Sequence, residues 1–224
     1  VTHALLRSPL WSQAIDLAYH AWFAPMTLGM VLCAFAPRDS ALATRYMLAF
    51  VLVWIVEGSL TAYWLPAAGP CFYDAVQPGP DRFAALHDHL RAQSDWLRAT
   101  GFPGLSALDY QRELFRAFTT RHLTFGAGIS AMPSLHNAMA VLFACAAFHH
   151  GRRIGYLFAA YAVVIAVGSV HLGWHYAMDG IVAAAMTMAI WKLTGVIVHA
   201  TRTAAGVAPA REAQGVAARM GTNP

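Results

Sequence analysis

The sequence predicts an all-α fold: a polytopic membrane helical bundle of five to six transmembrane helices with a long extracytoplasmic loop bearing amphipathic helices. Three observations carry this. Of the 224 residues, 58% are hydrophobic and only 12% are charged, with a mean hydropathy of +0.47; an ordinary soluble domain carries about 25% charged residues. The apolar residues are gathered into runs near the roughly twenty that cross a bilayer's hydrocarbon core. The basic residues collect in short connections and in the tail, so the net charge of +4 reads as membrane topology and not as a nucleic-acid footprint. Cys33, Cys71 and Cys145 show no metal-ligand spacing, and two of them lie inside apolar runs, so no obligatory disulfide framework is expected.

In chain order, residues 1–12 are short and mixed, and the first is not Met, so a start inside a longer protein is compatible with them. The first span is expected over 16–35, with Asp16 and His20 at its outer end and Trp11 and Trp22 in an interfacial aromatic belt. Pro37 stops it, and Ser40 is placed to cap the next helix. The second span runs over 41–65, with Arg45 near one end and Glu57 deep inside. An ionisable group there must face the bundle and find a partner, which makes Glu57 either a hydrogen-bonded structural carboxyl or a participant in chemistry.

Residues 66–124 form a long polar connection punctuated by Gly69-Pro70, Pro78-Gly79-Pro80 and Gly101-Phe-Pro-Gly104. Phe83, Leu86, Leu90 and Leu97 recur at near-helical spacing, which predicts an amphipathic helix on the membrane over 81–98, with another over 108–121. A loop of this length suits a lid over a site. His87 and His89 flank Asp88, but alternate residues on a helix diverge, so no metal is expected there. Further spans follow over 134–148, 154–170 and 181–199, separated by His149-His-Gly-Arg-Arg153 and by a short junction at 171–175. The chain therefore reads as one transmembrane domain over 1–200 with a flexible cytoplasmic tail over 201–224.

Charge then orients the bundle. Placing Arg38 and Arg45, Arg152 and Arg153, and Arg202 and Arg211 on one cytoplasmic side puts the long loop, His136 and His175 together on the other. Five counted spans start the chain on that other side, and a sixth upstream of Val1 would return the N-terminus to the cytoplasm.

The chemistry-bearing stretches are Gly128 to His136, GISAMPSLH, and Gly168 to Gly180, GSVHLGWHYAMDG. Four residues separate His175 from Asp179, so the carboxylate can lie beside the ring. A carboxylate bonded to one ring nitrogen fixes the tautomer and leaves the other nitrogen to attack or to take a proton. His136 follows a Pro-Ser-Leu turn at the mouth of an apolar helix, whose N-terminal amides, with the Ser134 hydroxyl, suit phosphate oxygens. His171 stands four residues before His175; its expected role is polar support or a head-group contact, and zinc is not expected. Arg121, with Arg112 and Arg116 about one helical turn apart, is the expected source of further positive charge.

These motifs resemble the type 2 phosphatidic acid phosphatase superfamily, whose second motif usually reads Pro-Ser-Gly-His and whose third ends in His-x-x-x-Asp; here they read Pro133-Ser-Leu-His136 and His175-Tyr-Ala-Met-Asp179. The resemblance implies six core helices, a site outside the cytoplasm, His175 as nucleophile on phosphorus, His136 as proton donor to the leaving oxygen, Asp179 as the orienting carboxylate, and no metal or other cofactor. It also exposes departures. The family's first motif, Lys-x6-Arg-Pro, has no counterpart, since the single Lys is Lys192, and Ser169 stands where the third motif usually has Arg. Leu135 in place of Gly, the missing Arg and Gly69-Pro-Cys-Phe-Tyr73 are more similar to the branch of inositol phosphorylceramide synthases.

The resemblance therefore implies a phosphotransferase moving a phosphoinositol-type head group from a phospholipid donor to a lipid or alcohol acceptor. A lipid phosphate phosphatase is the alternative, and a non-enzymatic lipid transporter or scaffold the remote one. The expected location is a bacterial inner membrane with the site facing the periplasm.

Overall fold

The computed structural model describes residues 6–77, 79–120 and 130–206, and among them the chain is all-helical, with 78% helix and no strand. Helices α1 (Pro9–His20) and α2 (Phe23–Ala34) form one rod of 26 residues. Helix α3 (Ala41–Leu52) continues through a π-helical stretch, Val53–Thr61, to Trp64. The loop carries α4 (Ala84–Ala99) and α5 (Ser106–Thr119), and the C-terminal half holds α6 (Leu135–His150), α7 (Arg152–His171) and α8 (Ala177–Ala204).

Four of these segments are long and apolar enough to cross a membrane: Pro9–Ala34, Ala41–Trp64, Arg152–His171 and Ala177–Ala204. The fifth expected span is present as α6, whose 16 residues reach only about 24 Å. It is the central helix, buried through Asn137, Met139, Leu142, Phe143 and a series of alanines, and it packs against α7, α8 and α3. Small side chains let those neighbours approach closely, which is how helices associate where water supplies no drive. Helix α2, by contrast, buries none of its residues, and Leu28, Val31 and Leu32 face outward as a lipid-facing surface requires.

Local chemistry sets the ends. The Ser40 hydroxyl accepts from the Ala43 N–H at 3.2 Å, the cap the sequence predicts for α3. Glu57 is fully buried and accepts from the Thr187 hydroxyl at 2.8 Å, within a π-helical segment that shifts its register toward α8.

Helices α4 and α5 are the two helices expected in the long loop. They pack on α1, which begins at Pro9 and not at Asp16. The reason lies on α1 itself: Ser12, Gln13 and Asp16 are buried there, and polar groups taken out of water need partners. The loop helices supply them to Ser12 and Asp16. Ser106 and Ala107 donate their backbone N–H groups to the two Asp16 carboxylate oxygens at 2.7 and 3.0 Å, closing the N-terminus of α5. Leu90, Leu97 and Leu105 seal the seam between the two loop helices.

Among the described residues the arginine clusters gather at one end; Arg211 lies outside the described residues. Arg202 donates to the Asp39 carbonyl, and the Arg45 guanidinium donates to the Trp191 carbonyl at 2.7 Å while lying 3.9 Å over that indole ring. The loop and the motif turns gather at the other, where Cys71 donates its N–H to the Gly173 carbonyl at 2.9 Å.

Candidate active site

The site is built at the N-terminal ends of α6 and α8. Ser134 caps α6, its hydroxyl accepting from the Asn137 backbone N–H at 3.4 Å and from Asn137 Nδ2 at 2.9 Å. The Asn137 amide reaches on to Ser169 Oγ at 3.3 Å, tying α6 to the last turn of α7. Ser169, the position where an arginine is usual in the resemblance above, is therefore interior: it is 1% exposed, and its carbonyl accepts from the N–H groups of both Trp174 and His175 at 3.0 Å. Gly173, at φ +77°, supplies the left-handed residue that lets the chain reverse there. A Cβ on Gly69 would run into the Trp174 carbonyl, so the loop turn Gly69-Pro70 lies directly against the motif.

That turn delivers His175. Its Nδ1 lies 2.7 Å from the Ala131 carbonyl and 3.6 Å from Asp179 Oδ2. A carbonyl only accepts, so Nδ1 carries the proton and donates it to Ala131, which leaves the Nε2 lone pair for chemistry. Asp179 sits beside the ring, as the spacing predicts, but for a different reason. His175 precedes α8, and Asp179 reaches back as a capping carboxylate to accept the Tyr176 N–H at 2.8 Å. It contributes negative charge near the ring, while the Ala131 carbonyl makes the short orienting bond.

His136, in the first turn of α6, is held by aromatic faces. Its ring stacks on Tyr19 at 4.4 Å between centroids and 16° between planes, and Trp22 closes the other flank at 4.7 Å. Among the described residues neither ring nitrogen has a hydrogen-bond partner, so both remain available to a ligand. Tyr19 also stacks on Trp174, 6.2 Å away, joining the two motifs through α1.

The remaining candidates fall elsewhere. His171 is fully buried, with Nε2 at 2.8 Å from Ser12 Oγ, which in turn donates to Gln93 Oε1 at 2.6 Å; the ring ties α7 to α1 and α4. Arg112 and Arg116 are two-thirds exposed on α5 and pair with Asp109 at 3.4 Å and Glu113 at 3.3 Å. Arg121 lies outside the described residues. Cys71, near Tyr19, is no thiolate: burial pushes its thiol up to about 12. Among the described residues, the donor set able to hold a metal, Asp74, Asp81 and His87 with ligand atoms within 4.8 Å, is in the loop. Both His87 nitrogens are already engaged, by Asp81 and by the Pro70 carbonyl at 3.2 Å each.

Sequence reasoning missed Asn137, Ala131, Tyr19 and the burial of Trp22. Asn137 had a signal, standing three residues after a capping serine. The others arrive through contacts between distant segments, which no local spacing encodes.

Together, the fold and these residues define an integral-membrane helical protein with a pair of histidines set at helix N-termini beneath a folded loop. The chain belongs to the PAP2 superfamily, whose family model matches residues 1–193, from the first helix through most of α8. Neither the curated proteins nor the solved structures compared with the chain contain a match. Members of this superfamily are typically phosphatases or phosphotransferases acting on phosphate esters.

Proposed function

We propose that the protein is a membrane phosphotransferase that moves a phosphoinositol-type head group from a phospholipid donor to a lipid or alcohol acceptor, on the periplasmic face of a bacterial inner membrane. The observation that supports this most is the His175 ring, whose Nδ1–H is given to the Ala131 carbonyl at 2.7 Å so that Nε2 is the free nucleophile. In the first half-reaction Nε2 attacks phosphorus, the bond from phosphorus to the diacylglycerol oxygen breaks, and His136 gives that oxygen its proton. In the second, His136 takes the proton of the acceptor hydroxyl, the new oxygen bonds to phosphorus, and the bond to Nε2 breaks. The Asp179 carboxylate stabilises the charged phosphohistidine ring, and the first amides of α6, at Leu135 and His136 after the capping Ser134, serve the developing oxyanion. His171 acts as polar support.

A diester donor is favoured over a monoester because the charge near the histidines is modest. Arg112 and Arg116 are occupied by their own acids, and Ser169 is turned inward. A monoanionic diester needs less clamping than a dianionic monoester.

Product analysis tests this. Purified protein in detergent is given a phosphatidylinositol-type diester or a lipid phosphate monoester, with and without an alcohol acceptor and with and without a chelator, beside a His175→Gln variant. Head group on the acceptor, unaffected by chelator and reduced at least about a thousandfold in the variant, is the expected result. Inorganic phosphate released from the monoester alone would make it a phosphatase, and turnover surviving in the variant would remove the mechanism.

A further inference from the structure

A site that holds a phosphate needs positive charge near the nonbridging oxygens, and Arg45, Arg112 and Arg116 are engaged with the Trp191 carbonyl, Asp109 and Glu113. A third histidine stands beside the pair. His20 ends α1 directly after Tyr19, and the Tyr19 ring touches both neighbours, 5.8 Å from the His20 ring and 4.4 Å from the His136 ring.

The ring of His20 is held on two sides. Nδ1 lies 2.8 Å from the Asp16 carbonyl and 3.2 Å from Asp16 Oδ1, so it carries a proton. The opposite face stacks on Tyr110 of α5 at 4.8 Å, which fixes the plane of the ring. Asp16 is itself immobile: it is fully buried, and its two oxygens are held by the first N–H groups of α5. Among the described residues Nε2 has no partner, and the side chain keeps 25% of its surface open. The result is an aspartate–histidine pair placed like that of a metal or phosphate site, pre-oriented at one nitrogen and open at the other.

We propose that His20 is a phosphate-binding residue of this site: protonated, it donates Nδ1–H to Asp16 and Nε2–H to a nonbridging oxygen of the lipid phosphodiester. A ring with an acceptor on each nitrogen is one that carries both protons, so the arriving phosphate completes the arrangement. Because Tyr110 belongs to α5, the His20 ring is also a contact between the loop and the proposed phosphate site. The assignment rests on the reading of His175 and His136 as the phosphoryl-transfer pair.

Orthovanadate, which mimics the five-coordinate phosphoryl group, is the probe. Its binding to the full chain in detergent is measured calorimetrically for the unaltered protein, His20→Gln, His20→Lys and His175→Gln, with turnover and melting temperature recorded for each. His20→Gln is expected to weaken vanadate binding about tenfold or more, since a hydrogen bond to a charged group is lost, and His20→Lys is expected to restore most of it. Equal weakening in the two variants, or none in either, overturns the proposal, because a ring needed only for stacking on Tyr110 is not replaced by a lysine. In the unaltered protein, vanadate is also expected to slow modification of His20 by diethyl pyrocarbonate, read by peptide mass spectrometry; an unchanged rate overturns the proposal even if the variants do not fold. The two readings separate cleanly. Turnover retained in His175→Gln removes the phosphohistidine mechanism, normal vanadate binding in His20→Gln with inactive His175→Gln removes only His20, and no vanadate binding by the unaltered protein removes both.

Discussion

At the scale of single residues, Asp179 shows how one side chain serves two ends. Its Oδ2 accepts the Tyr176 N–H at 2.8 Å, closing the first turn of α8, and stands 3.6 Å from His175 Nδ1. The two roles separate by substitution. Asp179→Asn keeps an oxygen for the cap and removes the charge, so turnover is expected to fall by about tenfold or more while the melting temperature stays near that of the unaltered protein. Asp179→Ala loses both, with a further destabilisation of about 1 kcal/mol from the missing cap. Equal turnover in Asp179→Asn and the unaltered protein, measured on the lipid diester, would show that only the cap matters. The closeness of this pair was legible in the sequence because four residues span it. What the spacing could not carry was the Ala131 carbonyl, which reaches His175 from 44 positions away, or the Tyr19 ring behind His136.

At the scale of elements, the loop is attached to the bundle through α1, and the attachment is polar. Asp16 holds the N-terminus of α5, and Ser12 joins Gln93 of α4 to His171 of α7. Asp16→Ala strips the buried Ala107 N–H and the part-buried Ser106 N–H of their acceptor, the buried one costing about 1–3 kcal/mol. We expect α5 to exchange its amide hydrogens at least about tenfold faster in this variant while α6 and α8 keep their protection, as read by hydrogen exchange and mass spectrometry; unchanged exchange over residues 106–119 would mean that apolar packing alone seats the helix. The helical periodicity of both loop segments was visible in the sequence, yet their resting place was not. An amphipathic stripe reports that one face is covered without saying by what, and here the cover is α1, with its buried polar residues at 12, 13 and 16.

At the scale of the whole molecule, orientation follows from where charge is left unbalanced. Residues 66–124 contain six arginines and six acids, and among them Arg91, Arg98, Arg112 and Arg116 pair locally with Asp88, Asp95, Asp109 and Glu113. Among the described residues the opposite end carries Arg38, Arg45, Arg152, Arg153 and Arg202 against Asp39 alone. Basic residues in short connections resist export, so this second end is expected in the cytoplasm and the histidine site outside it. Impermeant maleimide labelling checks the arrangement in a background with Cys33, Cys71 and Cys145 replaced by alanine. A thiol introduced by Arg91→Cys, on the exposed side of α4, is expected to react in intact cells, and one introduced by Arg153→Cys, at the start of α7, only after lysis. The reverse pattern would place His175 and His136 at the cytoplasmic leaflet. The lipid phosphate would then be drawn from that leaflet, and the periplasmic assignment would fall while the geometry of the site stood.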